Sequence, residues 1–290
     1  MSDIRHDGPH LATGGDVNLC FDAFGEPASP TMLLLMGMGF QLVHWPETFC
    51  RQLAAEGFGV VRFDNRDAGR STHLPGRRYS LEDMADDAVG LLDALEVNSA
   101  HVVGASLGGM IAQTVAIRHP RRTRSLASLM STTGSRGVGG TSWWVLRQLL
   151  SRPPRNEQEA IERRVRMFSA IGSQGFEQDV EELRRVTALA IARDPDARAG
   201  RRRQHRAVRG TGDRTEALRR IAVPTVVIHG TDDRMCHPSG GRATAAAVPG
   251  ARLELIRGMG HDLPPGAWPR LIRALTDNAR LGDERCGRAG

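Results

Sequence analysis

Apolar runs alternating with segments of helical period mark the first half of the chain. Thr31–Leu35, Val60–Phe63, Ala100–Val103 and Leu126–Met130 are short and mostly apolar, as strands covered on both faces of a sheet must be. Asp16–Phe24 reads as an earlier strand. Between these runs, Ser80 and Asp83 form a helix-start box, and Met84, Ala88, Leu91, Leu92 and Leu95 supply the apolar stripe that follows. The alternation predicts a largely parallel sheet with covering helices.

From about Gly139 the alternation stops. Trp143, Trp144, Leu146, Leu149 and Leu150 repeat with helical spacing until Pro153-Pro154 break it, and charged helical stretches follow over Glu157–Phe168 and Phe176–Ala192. The strand signal resumes at Val223–His229 and Ala251–Ile256. The simplest division is an α/β core over 1–138 and 219–282, interrupted by a helical cap over 139–218. The glycine- and charge-rich tail, 283–290, is expected to fray. No internal repeat is present.

Composition narrows the class. With 290 residues the chain can bury one large core. Met1–Gly8 lacks the apolar stretch of a secretory signal, and no uncharged apolar run is long enough for a bilayer, so the expected location is the cytoplasm, with no membrane span. Cys20, Cys50, Cys236 and Cys286 are widely spaced with no C-x-x-C pair, which argues against a metal site or disulfide framework and predicts reduced thiols. The net charge of +6 comes entirely from arginine on the basic side, and it is concentrated: residues 139–220 hold 18 arginines against 11 acids, the rest 21 against 22. The densest point, Arg201-Arg202-Arg203, has no interleaved aromatics for base stacking. Nucleic acid is therefore not an expected partner. The run reads as a solvated helix face or loop in preference to an anion-binding patch.

The chemistry centres on Gly104-Ala105-Ser106-Leu107-Gly108. It lies between the strand-like Ala100–Val103 and a segment in which Met110, Ile111, Thr114, Val115 and Ile117 recur with helical spacing. A strand that turns sharply into a helix at G-x-S-x-G strains the serine and lifts its hydroxyl clear of the backbone. Ser106 is thus the expected nucleophile. Serine needs a base, and the base needs an orienting acid, in the chain order Ser, acid, His. Asp232 and Asp233 follow the strand ending at His229; Asp233 is the expected acid, with Asp232 forming the turn. His261, in Gly258-Met259-Gly260-His261, is the expected general base, and Asp262 beside it a capping or solvated neighbour. His229 and His237 read as a strand-end histidine and a loop residue. The oxyanion donors are expected to be the backbone N–H groups of Leu107 and of Met38, in the turn Met36-Gly37-Met38-Gly39. Met36, Gly37 and Met38 are candidates for the acyl pocket, although methionines there could equally fill the core. Trp143, Trp144, Phe168 and Phe176 could wall an apolar pocket or simply pack the cap.

These motifs, with Trp45-Pro46 and Asp64-Asn65-Arg66-Asp67-Ala68-Gly69-Arg70-Ser71, resemble the α/β-hydrolase superfamily over nearly the whole chain. Within it they are similar to bacterial carboxylesterases and lipases of the aclacinomycin methylesterase type. Two departures from the wider pattern, Met36-Gly37 for His-Gly and Asp67 for the first glycine of the Asp-x-Arg-Gly-x-Gly-x-Ser segment, are shared with that branch. The resemblance implies an eight-stranded, mostly parallel sheet, a helical cap and no cofactor or metal. Asp64 and Arg66 are expected to hold their loop by ion pairing. The function expected first is hydrolysis of a hydrophobic or bulky small-molecule ester through an acyl-enzyme. The same triad could act on a thioester, lactone or C–C bond, or in perhydrolysis, and a non-catalytic ligand-binding relative is a third reading. The sequence also allows a homodimer.

Overall fold

The computed structural model describes residues 6–149, 152 and 154–288. Eight strands form one sheet: β1 (His6–Gly14), β2 (Val17–Phe24), β3 (Thr31–Leu35), β4 (Gly59–Phe63), β5 (Ala100–Ala105), β6 (Thr123–Leu129), β7 (Thr225–Gly230) and β8 (Arg252–Ile256). Their order is β1-β2-β4-β3-β5-β6-β7-β8. β2 runs antiparallel to both β1 and β4, and every pairing from β4 to β8 is parallel. The parallel strands carry the apolar runs because helices cover both of their faces.

Period-2 alternation sorts each strand between two cores. Leu33, Leu35, Val61, Phe63 and Val102 face the layer of α2 (Leu81–Ala94) and α3 (Leu107–Arg118). Met32, Leu34, Val60 and Val103 face α1 (Glu47–Ala55) and α10 (Trp268–Arg288). The Ser80 box closes as expected: its hydroxyl accepts from the Asp83 N–H, and the Asp83 carboxylate accepts from the Ser80 N–H.

Between β6 and β7 the chain builds α4 (Trp143–Leu149), α5 (Glu157–Ile171), α6 (Val180–Arg193), α7 (Ala197–Thr211) and the single turn α8 (Thr215–Leu218). Leu150 and Pro153 lie outside the described residues. α9 (Ser239–Ala247) then precedes β8.

Two features differ from the sequence expectation. β1 is a strand although His6–Gly14 shows no apolar alternation; it is a mostly exposed edge, held by pairing to β2. α10 continues to Arg288 through the segment expected to fray, and Ala289 and Gly290 lie outside the described residues. There Asp283 pairs with Arg124 at 2.9 Å and sits 3.2 Å from His101, which ties the helix end to β5 and β6.

Candidate active site

Ser106 sits where β5 turns into α3, with φ 56° and ψ −118°. That left-handed conformation is costly for a residue with a side chain, and the surroundings enforce it. The Ser106 N–H donates to the Leu129 carbonyl at 2.9 Å, and the Ser106 carbonyl accepts from the Ser131 hydroxyl at 2.8 Å. A Cβ at Gly104 would collide with the Gly108 carbonyl, and one at Gly108 with that of Leu35, so only glycine lets strand and helix pass this closely.

The loop after β3 runs beside the serine: a Cβ at Gly37 would lie 3.2 Å from that of Ser106. The Asn65 side-chain amide donates to the Met36 carbonyl at 3.1 Å, and the Gly39 N–H donates to Gln204 Oε1 of α7 at 2.8 Å. Among the described residues, no protein acceptor takes the N–H of Met38 or of Leu107. Met38 shares a cavity with Ser106 and Leu107 follows it in the chain, so two backbone donors without a protein acceptor belong to residues around the serine, as stabilising a tetrahedral oxyanion would require.

β7 delivers Asp233 and the loop after β8 delivers His261. The His261 Nδ1–H donates to Asp233 Oδ2 at 2.7 Å. Asp233 Oδ1 accepts from the N–H groups of Met235 and Cys236 at 2.9 and 2.8 Å. His229 is the neighbour that sequence reasoning passed over. Its Nε2–H donates to the Cys236 carbonyl at 2.8 Å and lies 3.3 Å from Asp233 Oδ2. Burial by itself would raise the Asp233 pKa, but His261, His229 and the Cys236 N–H outweigh it and hold the carboxyl well below the usual range. Asp232 faces solvent and accepts from its neighbour Thr231.

The helical insertion grips the His261 loop and the Asp64–Ser71 loop. On the histidine side, the His261 N–H donates to the Ile171 carbonyl at 2.9 Å and the Gly260 N–H to the Ser173 hydroxyl at 2.8 Å. Ser173 in turn donates to the half-buried Asp262, which fits the capping role expected of it better than the solvated one. On the other side, α7 lies over the Asp64–Ser71 loop. Arg203 makes a bidentate pair with Asp67 at 2.6 and 2.7 Å, and the Gln204 amide donates to the Arg66 carbonyl at 2.8 Å. Arg193 reaches Asp64 at 2.6 Å, while Arg66 pairs with Asp87 at 2.5 and 2.6 Å. Asp64 and Arg66 thus hold their loop as expected. Ser173 and Gln204 left no local signal, because each acts through a segment distant in sequence.

Ser106 and His261 open into a cavity of about 690 Å³ between the sheet and the insertion. Met38, Phe40 and Phe168 line it, with Arg201 and Arg202. Arg201 and Arg202 are exposed, as expected of a solvated helix face, and both also line the cavity, while Arg203 is half-buried and paired with Asp67. Trp143 is exposed at 71 %, and neither it nor Trp144 lines this cavity. Met36 is buried in the core with Trp45 and Phe49, and Phe176 packs against Gly266. Among the described residues, no group of three or more His, Cys, Asp or Glu side chains is placed to hold a metal ion, and no helix is long and apolar enough to cross a membrane.

Comparison with known proteins gives a consistent picture. The family model described as the α/β-hydrolase fold matches residues 30–264. The rhodomycin D methylesterase DauP of Streptomyces sp. (strain C5) is 30% identical over 93% of this chain and 97% of its own. The 2-hydroxymuconate semialdehyde hydrolase of Pseudomonas sp. (strain CF600) is 26% identical over 94% and 91%. Among solved structures, the 2-hydroxy-6-oxo-6-phenylhexa-2,4-dienoate hydrolase of Rhodococcus sp. strain RHA1 superposes with a TM-score of 0.80, at 19% identity, over 96% of this chain and 99% of that one. With its single antiparallel strand β2, its serine at the β5 turn and a family match spanning most of its length, the chain belongs to the α/β-hydrolase family.

Proposed function

We propose that the protein hydrolyses carboxylic esters of small molecules through an acyl-enzyme on Ser106. The observation that carries this reading is the 2.7 Å bond from His261 Nδ1–H to a buried Asp233, on a histidine that shares its cavity with the elbow serine. In this reading His261 Nε2 takes the Ser106 hydroxyl proton as Oγ bonds to the ester carbonyl carbon. The Met38 and Leu107 N–H groups hold the oxyanion. The C–O bond then breaks, and the alcohol leaves with the proton carried by His261. Water, deprotonated by the same imidazole, attacks the acyl-enzyme and releases the carboxylic acid and free serine. Asp233 stays ionised throughout and holds the imidazole in the tautomer that leaves Nε2 free to accept.

The likeness to a methylesterase over nearly the full length favours an oxygen ester over a thioester, lactone or C–C bond. A cavity of about 690 Å³ suits a bulky acid component. The test is turnover of 4-nitrophenyl esters together with labelling by a fluorophosphonate. Ser106→Ala is expected to lose both, with kcat lower by on the order of 10⁴–10⁶. Unchanged hydrolysis by that variant would overturn the reading.

A further inference from the structure

One part of the cavity lining is cationic. Five residues of α7, Arg198, Arg201, Arg202, His205 and Arg206, line it. Their spacing of i, i+3, i+4, i+7 and i+8 defines one continuous helix face. The opposite face, with Gly200, Arg203, Gln204 and Ala207, is turned to the core and the Asp64–Ser71 loop. α7 therefore sets its arginine stripe toward the site and buries its other side. α5 adds Arg163 and Arg164 to the same lining.

These arginines differ from those that brace the fold. Arg62, Arg66, Arg193 and Arg203 each hold a carboxylate in ion-pair contact, Asp22, Asp87, Asp64 and Asp67 respectively. Among the described residues, Arg164, Arg198, Arg201 and Arg202 have no carboxylate in ion-pair contact and no hydrogen-bond acceptor. Asp194 is the one carboxylate in the lining, against seven arginines. It accepts from the Gly69 N–H at 3.0 Å and sits 3.6 Å from His73, and its charge reaches Arg164 only through space. Arg201 stays partly in solvent, and partial loss of solvation, then repulsion from Arg198, Arg202 and Arg163, lowers its pKa. Gathering like charges around one space is unfavourable unless an anion occupies it. Arg201 is also close to the chemistry: a Cβ at Gly39 would lie 3.1–3.2 Å from its side-chain carbons, so its stem rests on the residue after Met38.

Resting on the hydrolase reading above, we infer that the substrate is an ester carrying a second, anionic group, a carboxylate or a phosphate, which the Arg164–Arg198–Arg201–Arg202 cluster holds while the ester carbonyl meets Ser106. Guanidinium suits either oxyanion through paired N–H donors.

The experiment compares kcat/KM within matched probe pairs. Mono-(4-nitrophenyl) glutarate is set against 4-nitrophenyl valerate, which places the charge on the acyl side. For the alcohol side, 4-acetoxybenzoate and 4-acetoxyphenyl phosphate are each set against 4-acetoxybenzamide. At least one anionic member is expected to be preferred tenfold or more, with the preference falling as salt rises. The carboxylate and phosphate arms identify the group. In Arg164→Gln/Arg201→Gln the anionic-to-neutral ratio is expected to fall toward one, and Arg201→Lys to recover part of it; circular dichroism checks that the variants fold. Ratios at or below one in every pair, or a ratio untouched by the double variant, would overturn the inference while leaving the esterase reading intact. If no ester is turned over and no fluorophosphonate adduct forms, the esterase reading fails instead. Calorimetry on Ser106→Ala then decides the inference by itself: binding of the glutarate monoester but not the valerate ester supports it, and equal or absent binding refutes it.

Discussion

Asp232 and Asp233 are adjacent carboxylates in opposite surroundings. Asp232 is exposed and serves its turn; Asp233 is buried and receives two backbone N–H groups, His261 and His229. Those partners give the amide substitution a specific consequence. An asparagine at 233 would direct either an N–H or a neutral carbonyl at His261 Nδ1, and would no longer stabilise the imidazolium. Asp233→Asn is expected to lower kcat for 4-nitrophenyl esters by about 10⁴ with KM little changed, while Asp232→Asn stays near the parent; steady-state kinetics on both decides it. An Asp233→Asn protein with parental kcat would remove the acid from the mechanism. The sequence separates the two aspartates only by count from His229, and burial is what distinguishes them physically. The contact of His229 with that carboxylate is harder to read, because a histidine ending a buried strand has several ordinary uses. The nearness of Gly241, whose Cβ would lie 2.5 Å from His229 Nδ1, is a tertiary fact with no local trace.

Among the elements, α7 has two working faces and was the least legible. Its arginine density suppresses the apolar stripe by which amphipathic helices are recognised, so the run suggests solvent exposure. That face is indeed exposed, and the helix is held on its other face by polar contacts, chiefly Arg203 to Asp67. Asp67 has φ 64°, a conformation suited to glycine, at the position where the common motif has one. Here the strain is offset by the ion pair and by the Leu74 N–H, which donates to Asp67 at 2.8 Å. A double-mutant cycle with Asp67→Asn and Arg203→Gln, followed by urea unfolding, is expected to give a coupling energy of roughly 0.5–3 kcal/mol. Additive losses would mean that the pair contributes nothing of its own. The parallel strands, by contrast, were readable almost residue by residue, since burial on both faces demands unbroken apolar runs. β1 was not, because an edge strand needs only a partner for its backbone.

For the molecule as a whole, buried histidines set an acid limit. Loss of solvation lowers the pKa of His101 to about 4, with Asp283 opposing and Arg124 reinforcing the shift, and likewise that of His44 to about 4. In the unfolded chain both titrate near 6.5. Between these values the unfolded state binds more protons, so stability falls as pH drops from about 6.5 to 4, by roughly 3 kcal/mol per histidine as an upper bound. The thermal midpoint should decline across that window, and His101→Gln should flatten the decline relative to its own value at pH 7. An unchanged slope in that variant would exclude His101 as a source. The helical insertion, finally, has a consequence beyond walling the cavity. Gln204 meets the Met36–Gly39 loop, while Ile171 and Ser173 meet the His261 loop. One block of helices thus spans the two loops that flank Ser106 and acts as a caliper, fixing the gap between the proposed oxyanion donor and the proposed base. Exchanging this segment between relatives would change the pace of bond cleavage along with the choice of substrate.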